Sequence, residues 1–424
     1  MKTNILFLGL FLLCFSCKEY EDVEIPADLP CLPELCAQYE KLLADANEGW
    51  ITEYQPTANS GVTSIYMKFY DNGTVDIQSN YPGYTDVQKE IRYRISGMVK
   101  PELTFETECV WAKIYLEAGG EYLFMIEPKG NDTLLLKPAR SPYDRPTCVV
   151  TRANAGDKDT FQKSITTVKT LNDFIKNATA YFKNLELTGP LGTVEAFTEF
   201  NMDKSMITLT YQNEHKETIV TERKFKIEGN RLIFLPAAVI NNIEVQYLQL
   251  GELDGDGNML IQDAGQDLSG KISTAHIPPF PYIGSAAYYA TTQNLKLSYC
   301  DASESMQVLI RPILALSDDN YLPFYIDYFG SSHPSPNAFW IQDKKNGLYY
   351  YITLDTKGED VVYHQYVPPT GSAEKSHMDV VKPFLDKICD SEGLTIILST
   401  DKKTCTLVSR SDSRYWIKLS LSIV

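Results

Sequence analysis

The chain has 424 residues, with 55 acidic against 39 basic side chains and a formal net charge of −16. Hydrophobic residues make up 44% and charged residues 22%, a folded-protein composition that excludes wholesale disorder. The acidic balance argues against a nucleic-acid partner, which needs a basic footprint; the length predicts several domains.

The chain opens Met1-Lys2-Thr3-Asn4, runs apolar from Ile5 to Phe15, then reads Ser16-Cys17-Lys18-Glu19. A short basic start, an apolar run of about 7–15 residues and a small residue before the cut make a secretory signal. The run is too short to span a bilayer, which takes roughly 18 or more apolar residues. A cysteine directly after Ser16 is the layout of a bacterial lipoprotein signal, so residues 1–16 are expected to be removed and Cys17 lipidated. The first expected partner is therefore a lipid bilayer, through acylated Cys17. Residues 17–33 carry Glu19, Glu21, Asp22, Glu24, Pro26, Pro30 and Pro33, and predict an extended acidic spacer. An acidic run after a lipidated cysteine resembles the surface-export tether of Bacteroidota lipoproteins, which implies the outer membrane and its outer face. A merely solvated spacer would read the same way.

Seven cysteines follow Cys17, in a compartment that permits disulfides. Their odd number leaves at least one thiol unpaired. The candidate pairs are Cys31 with Cys36, Cys109 with Cys148, and Cys389 with Cys405.

Leu35, Tyr39, Leu42, Leu43 and Ala46 fall at helical spacing and predict a helix from Glu34 to Asn47, stopped at Gly49. A hairpin follows: Ile65, Met67 and Phe69 alternate, Asp71-Asn72-Gly73 turns the chain, and Val75 and Ile77 alternate again. Further strands are expected at 91–95, 103–106, 110–116, 122–126 and 133–136. The small polar stretch Arg152 to Asp159 marks a boundary. Phe161 to Asn184 reads as a second helix, and strands resume at 193–200, 206–211, 219–227, 232–235 and 243–250. His276-Ile-Pro-Pro-Phe-Pro281 marks a second boundary. The last third is strand-like and tyrosine-rich, with one helix near Met378 to Cys389 and a terminal hairpin from Leu394 to Ser409.

The modules are therefore expected at 34–152, 160–275 and 282–424. The fold class is mostly β with a few helices: antiparallel β-meanders, half-barrel or sandwich-like, each preceded by an amphipathic helix. Such meanders need a closed or stacked sheet to hide their edges. Phe69 to Phe105 and Phe200 to Phe234 show similar orders of strand, glycine and strand, as a duplicated unit would, although alternating strands and turns resemble each other anyway.

Asn47-Glu-Gly-Trp-Ile-Thr-Glu-Tyr54, Ile65-Tyr-Met-Lys-Phe69 and Asp71-Asn-Gly-Thr-Val75, after a helix, resemble the opening of a Bacteroidota lipoprotein family known as a domain of unknown function. The resemblance is strongest from Tyr39 to Val75. Members of that family are often encoded beside SusC/SusD-type outer-membrane import systems and a lipoprotein resembling zinc metallohydrolases. The resemblance implies a surface role in nutrient capture, with SusC/SusD-type transporter proteins as partners. It brings no catalytic residues.

Chemical motifs are sparse. The five histidines (His215, His276, His333, His364 and His377) form no HExxH, and no GxSxG is present, so neither a metal nor a catalytic residue is assigned and no cofactor is expected. Gly265 to Ile272 nearly matches a phosphate loop but puts Ile272 where a hydroxyl should bind magnesium, and reads as a turn. Asp254-Gly-Asp-Gly-Asn258 lacks the later calcium-loop positions and reads as a hairpin turn.

Aromatics remain. The chain has 27 tyrosines, clustered late. In Phe339-Trp340-Ile341 and Leu348 to Ile352, joined by a turn at Asp343 to Gly347, inward Ile341 and Leu348 imply inward Phe339 and Tyr350 by the two-residue period. Trp340, Tyr349 and Tyr351 then share the outer face. They are the candidate ligand-binding residues, for glycan rings stacked on their faces. Cross-strand packing is the competing use of such residues. The function expected is a non-catalytic accessory binding or partner subunit of a glycan or peptide importer. The rivals are a secreted hydrolase and a purely structural subunit.

Overall fold

The computed structural model describes residues 31–140, 145–178, 180–282, 284–291, 295–316, 324–328, 337–342, 347–399 and 401–423. The architecture is mostly antiparallel β, arranged as three successive rings of eight strands. Barrel 1 holds β1–β8: Trp50–Tyr54, Thr63–Phe69, Thr74–Ser79, Gln88–Ser96, Glu102–Phe105, Leu123–Pro128, Thr133–Pro138 and Cys148–Arg152. Barrel 2 holds β9–β16: Phe182–Gly189, Gly192–Asn201, Met206–Gln212, Thr218–Glu228, Arg231–Ile240, Ile243–Leu253, Met259–Asp263 and Ser269–Ala275. Barrel 3 holds β17–β24: Leu295–Ala302, Phe324–Tyr328, Asn337–Gln342, Gly347–Lys357, Val361–Tyr366, Leu394–Leu398, Thr404–Ser409 and Trp416–Ile423. Each meander closes on itself. Trp50 pairs with Arg152, Leu187 with Gly270, and Leu297 with Leu421. Closure removes the edge strands that an open half-barrel would expose.

Alternation writes these strands. In β2 and β7 every second residue is buried, and those side chains fill the interior. An eight-stranded ring is only just wide enough to be filled by side chains. Helices close both ends of barrel 1. Helix α1 (Leu32–Ala44) lies across the end of barrel 1 where β1 begins: Trp50 donates its indole N–H to Leu43 O at 2.9 Å, and Arg152 reaches Asp45 O at 3.1 Å. Helix α2 (Val110–Ala118) follows β5 and so sits at the opposite end. The segment 110–116 was expected as a strand. Val110, Trp111, Ile114 and Ala118 are buried at helical spacing, and Gly119 at φ 71° stops the helix in a left-handed turn.

Helix α3 (Ala155–Lys176) opens with a capping box between Asn154 and Asp157, inside the expected boundary stretch. It turns Val168, Leu171 and Phe174 into the core of barrel 2. The expected helix to Asn184 ends early, because Phe182–Gly189 is needed as β9 to close that barrel. Among the described residues barrel 3 carries four helices where the sequence predicts one: α4 (Ser285–Thr291), α5 (Glu304–Leu314), α6 (Ser372–Ser376) and α7 (Met378–Ile388). Met306, Ile310, Val381 and Phe384 from α5 and α7 enter its core.

The near-match to a phosphate loop has a structural reason. Gly270 lies in β16 opposite β9, and a Cβ there would collide with the Glu186 carbonyl oxygen. Gly270→Ala is therefore expected to strain the closing pair of barrel 2 and cost about 1–3 kcal/mol, the usual range for overpacking. Urea unfolding measures this. An unchanged midpoint would show that β9 and β16 can separate freely.

Candidate functional site

Among the described residues, the interiors of barrels 1 and 3 are filled by packed aromatic rings. In barrel 1 the Trp111 ring stacks on Phe105 at 5.8 Å and meets Phe124 edge-on at 5.0 Å and Tyr54 at 5.2 Å. In barrel 3 Phe339 packs on Phe384 at 4.9 Å. The outer walls and the seams between barrels offer accessible surfaces.

The outer wall of barrel 3 carries the strongest candidate. β19 and β20 pair with Trp340 opposite Tyr349 and Ile341 opposite Leu348. Phe339, Ile341, Leu348, Tyr350 and Ile352 are fully buried, which sends Trp340, Tyr349 and Tyr351 to the outer face, as the two-residue period predicts. Tyr349 is 37% exposed. Its ring lies 6.5 Å from that of Tyr351, nearly parallel at 18°, and 6.5 Å from the Trp340 ring. Trp340 is half-buried, because its indole lies over Gly347, where a Cβ would stand 2.6 Å from Nε1. Further along β20, Thr353 and Asp355 stay on the exposed side, and the neighbouring Gln365 of β21 pairs with Thr353. The wall thus joins two parallel aromatic faces to hydroxyl, carboxylate and amide groups. It lies across the ring from β23 and β24, whose Val408 and Trp416 face barrel 2. The expected turn at 343–346 lies outside the described residues.

Barrel 1 and the seams between barrels carry further surfaces. Tyr115 and Tyr122 meet at 5.0 Å on barrel 1, but the Arg145 and Arg140 guanidinium groups cover their faces at 5.4 and 4.7 Å. A groove of about 560 Å³ runs between barrels 1 and 2, lined by Thr52, Glu53, Asp157, Phe161, Lys226 and Glu228. Its cation, Lys226, is held by Glu53 at 2.9 Å and Glu228 at 2.7 Å. A second pocket of about 500 Å³ lies at Pro278 to Pro281. There Asp360 accepts the Tyr282 backbone N–H at 3.1 Å, which fixes the linker.

Among the described residues, desolvation raises three carboxyls, those of Asp203, Asp360 and Glu199. Glu199 lies on the outer face of barrel 2 at the seam with barrel 3. The residue is exposed at the surface, and local desolvation raises its carboxyl above the ordinary range. The Tyr181 hydroxyl donates to it at 3.0 Å. Desolvation also lowers the nearby Lys183 ammonium. Among the described residues no group of three His, Cys, Asp or Glu side chains could hold a metal ion. Asp254 spends its carboxylate on the Asp256 and Asn258 backbone N–H groups at 2.9 Å, as a hairpin turn does.

The cysteines correct an expectation. Cys31, Cys36, Cys109, Cys148 and Cys389 are free thiols, so none of the three expected pairs forms. Cys109 is the N-cap residue of α2, whereas Cys148 sits in β8 with its sulfur 3.0 Å from the Thr52 hydroxyl. Cys36 is buried in α1 while Cys31 is exposed. Cys405 lies in the core of barrel 3. Cys17 lies outside the described residues. Sequence reading missed Glu199, whose only signal is its place beside two barrels that close far apart in sequence.

A family model described as Domain of unknown function (DUF4302) matches residues 32–252. No curated protein matches the chain. Among solved structures, a beta sliding clamp of C. crescentus is 9% identical, with 93% of this chain and 97% of that chain covered at a TM-score of 0.18. A DnaN sliding clamp of Bartonella birtlesii is 7% identical, with 92% and 98% covered at 0.19. Likeness at that level carries no argument.

Proposed function

Because the chain belongs to the DUF4302 family, whose description assigns no activity, we propose a function from its surfaces. The protein is a lipid-anchored, non-catalytic binding subunit, displayed on the outer membrane through acylated Cys17. It captures glycan on the outer wall of barrel 3 and hands it to a SusC/SusD-type importer. The observation that carries the binding reading is the parallel pair Tyr349–Tyr351, flanked by Trp340 and followed by Thr353 and Asp355 on the same side of the sheet. Sugar rings offer C–H faces to aromatic rings and hydroxyls to polar neighbours, so a mixed wall suits a glycan better than an apolar partner does. The anchor rests on Ser16-Cys17 after the apolar run, and the importer on the resemblance of the segments from Tyr39 to Val75.

Stacking on each ring is worth about 1 kcal/mol by analogy with aromatic pairs. Replacing Tyr349 and Tyr351 together by alanine is expected to weaken polysaccharide binding about 30-fold, since each 1.4 kcal/mol is tenfold. Affinity electrophoresis of the Cys17→Ala protein reads this. The melting temperature should stay within about 2 °C, because the rings hold up no core. A large stability loss would put the rings to structural use and reject the platform. Trp340→Ala is a poorer probe, because it also uncovers Gly347.

A further inference from the structure

An unusual apolar knob projects from barrel 1. The turn between β4 and β5 reads Gly97-Met98-Val99-Lys100, and Met98 is 97% exposed and Val99 87%. The turn is tightly built. A Cβ on Gly97 would collide with the Lys100 carbonyl oxygen, and the following Pro101 is buried and accepts the Ile126 N–H at 3.0 Å. Two apolar side chains are thus held out into water by a fixed turn.

The position of the knob matters more than its size. Strands alternate in direction, so β4 ends where β1 begins. That is the end of barrel 1 covered by α1. The described chain enters at Cys31, directly before α1. Cys31 lies only 14 positions after Cys17. Even fully extended, that stretch reaches at most about 50 Å. Lys137 pairs with Glu127, and Lys100 on the knob and Lys129 on the adjacent turn also lie within reach of that carboxylate, so three cations and one anion lie near the apolar tip.

We propose that Met98 and Val99 dip into the bilayer that holds the acyl chains and set the α1 end of barrel 1 against the membrane. This inference rests on the lipid-anchor reading above. Two small side chains are too little to hold a free protein. The tether supplies a high effective concentration, and a single further weak contact then suffices to orient the molecule. The Lys100 stem lets its ammonium stay at the headgroups while Val99 enters.

The test uses the lipidated full chain on vesicles of three parts phosphatidylethanolamine to one part phosphatidylglycerol. A charged oxidant that does not cross bilayers, such as chloramine-T, converts exposed methionine to its sulfoxide. Met98 sulfoxide formation, read by mass spectrometry, is expected to be at least about tenfold slower on vesicles than in the soluble Cys17→Ala chain. Val99→Asp should restore the fast rate while the chain still sediments with the vesicles. Equal Met98 oxidation in both states, with the wild-type chain sedimenting, would overturn the inference and leave the anchor reading standing. A wild-type chain that does not sediment would reject the anchor and the inference together.

Discussion

Trp111→Ala is expected to cost about 3–5 kcal/mol, the usual range for a large aromatic lost from a core. Trp111 has no solvent exposure and touches Tyr54, Phe105 and Phe124. It projects from α2, which covers the end of barrel 1 away from α1, so its loss opens a cavity and loosens that cover together. Neighbouring strands are hydrogen-bonded into a ring and cannot collapse far to fill the space. Trp111→Phe should recover most of the loss. It keeps a stacked ring and removes an indole N–H that has no partner among the described residues. Urea unfolding of the three chains reads the order. Equal losses for both substitutions would mean that the ring stack contributes little.

Barrel 3 should lose stability in mild acid through His364. This histidine is buried between Tyr289 and the end of α7. Its Nδ1 lies 3.2 Å from Ile388 O and its Nε2 3.3 Å from the Tyr289 hydroxyl. The neutral ring satisfies both contacts, with Nδ1–H donating to the carbonyl and Nε2 accepting from the hydroxyl. Burial pushes its pKa down from 6.5 to about 4. The unfolded chain therefore takes up a proton below about pH 6.5 that the folded chain refuses until about pH 4. Stability from this group is present above pH 6.5 and is lost as the pH falls to 4, by about 3 kcal/mol in all. His364→Gln should be less stable than wild type at pH 7 and show a smaller fall between pH 6.5 and 4. Urea midpoints across that window measure both. An identical pH slope in the two proteins would remove His364 from the acid response.

The parts of the fold legible in sequence were those written by local period and turn chemistry. Asp71-Asn-Gly73 between alternating runs specifies the hairpin of β2 and β3. The same period puts Phe339 and Tyr350 inside and Tyr349 outside. Short apolar runs were ambiguous. Val110 to Leu116 satisfies a strand and a helix alike, and only the burial of Ile114 and Ala118 with Trp111 decides it. Helix α5 was hidden by Pro312 within it. Ring closure was not legible, because Trp50 and Arg152 carry no local sign of pairing across about a hundred residues. The cysteine pairs failed for a related reason: pairing depends on where separate elements bring the sulfurs, and Cys109 and Cys148 are held by a helix start and by Thr52. The outer aromatic wall was legible because two adjacent strands build it. The Glu199 seam needs two barrels and could not be read from either.

The most direct test of the central claim, capture of glycan on the wall of barrel 3, is hydroxyl-radical footprinting of the Cys17→Ala protein with and without a bound polysaccharide. Oxidation of Tyr349 and Tyr351 should slow on binding, Trp340 should follow in part, and Tyr115 and Tyr122 on barrel 1 should not change. Protection confined to the groove between barrels 1 and 2 or to the Glu199 seam, with Tyr349 and Tyr351 oxidised at their free rate, would contradict the account.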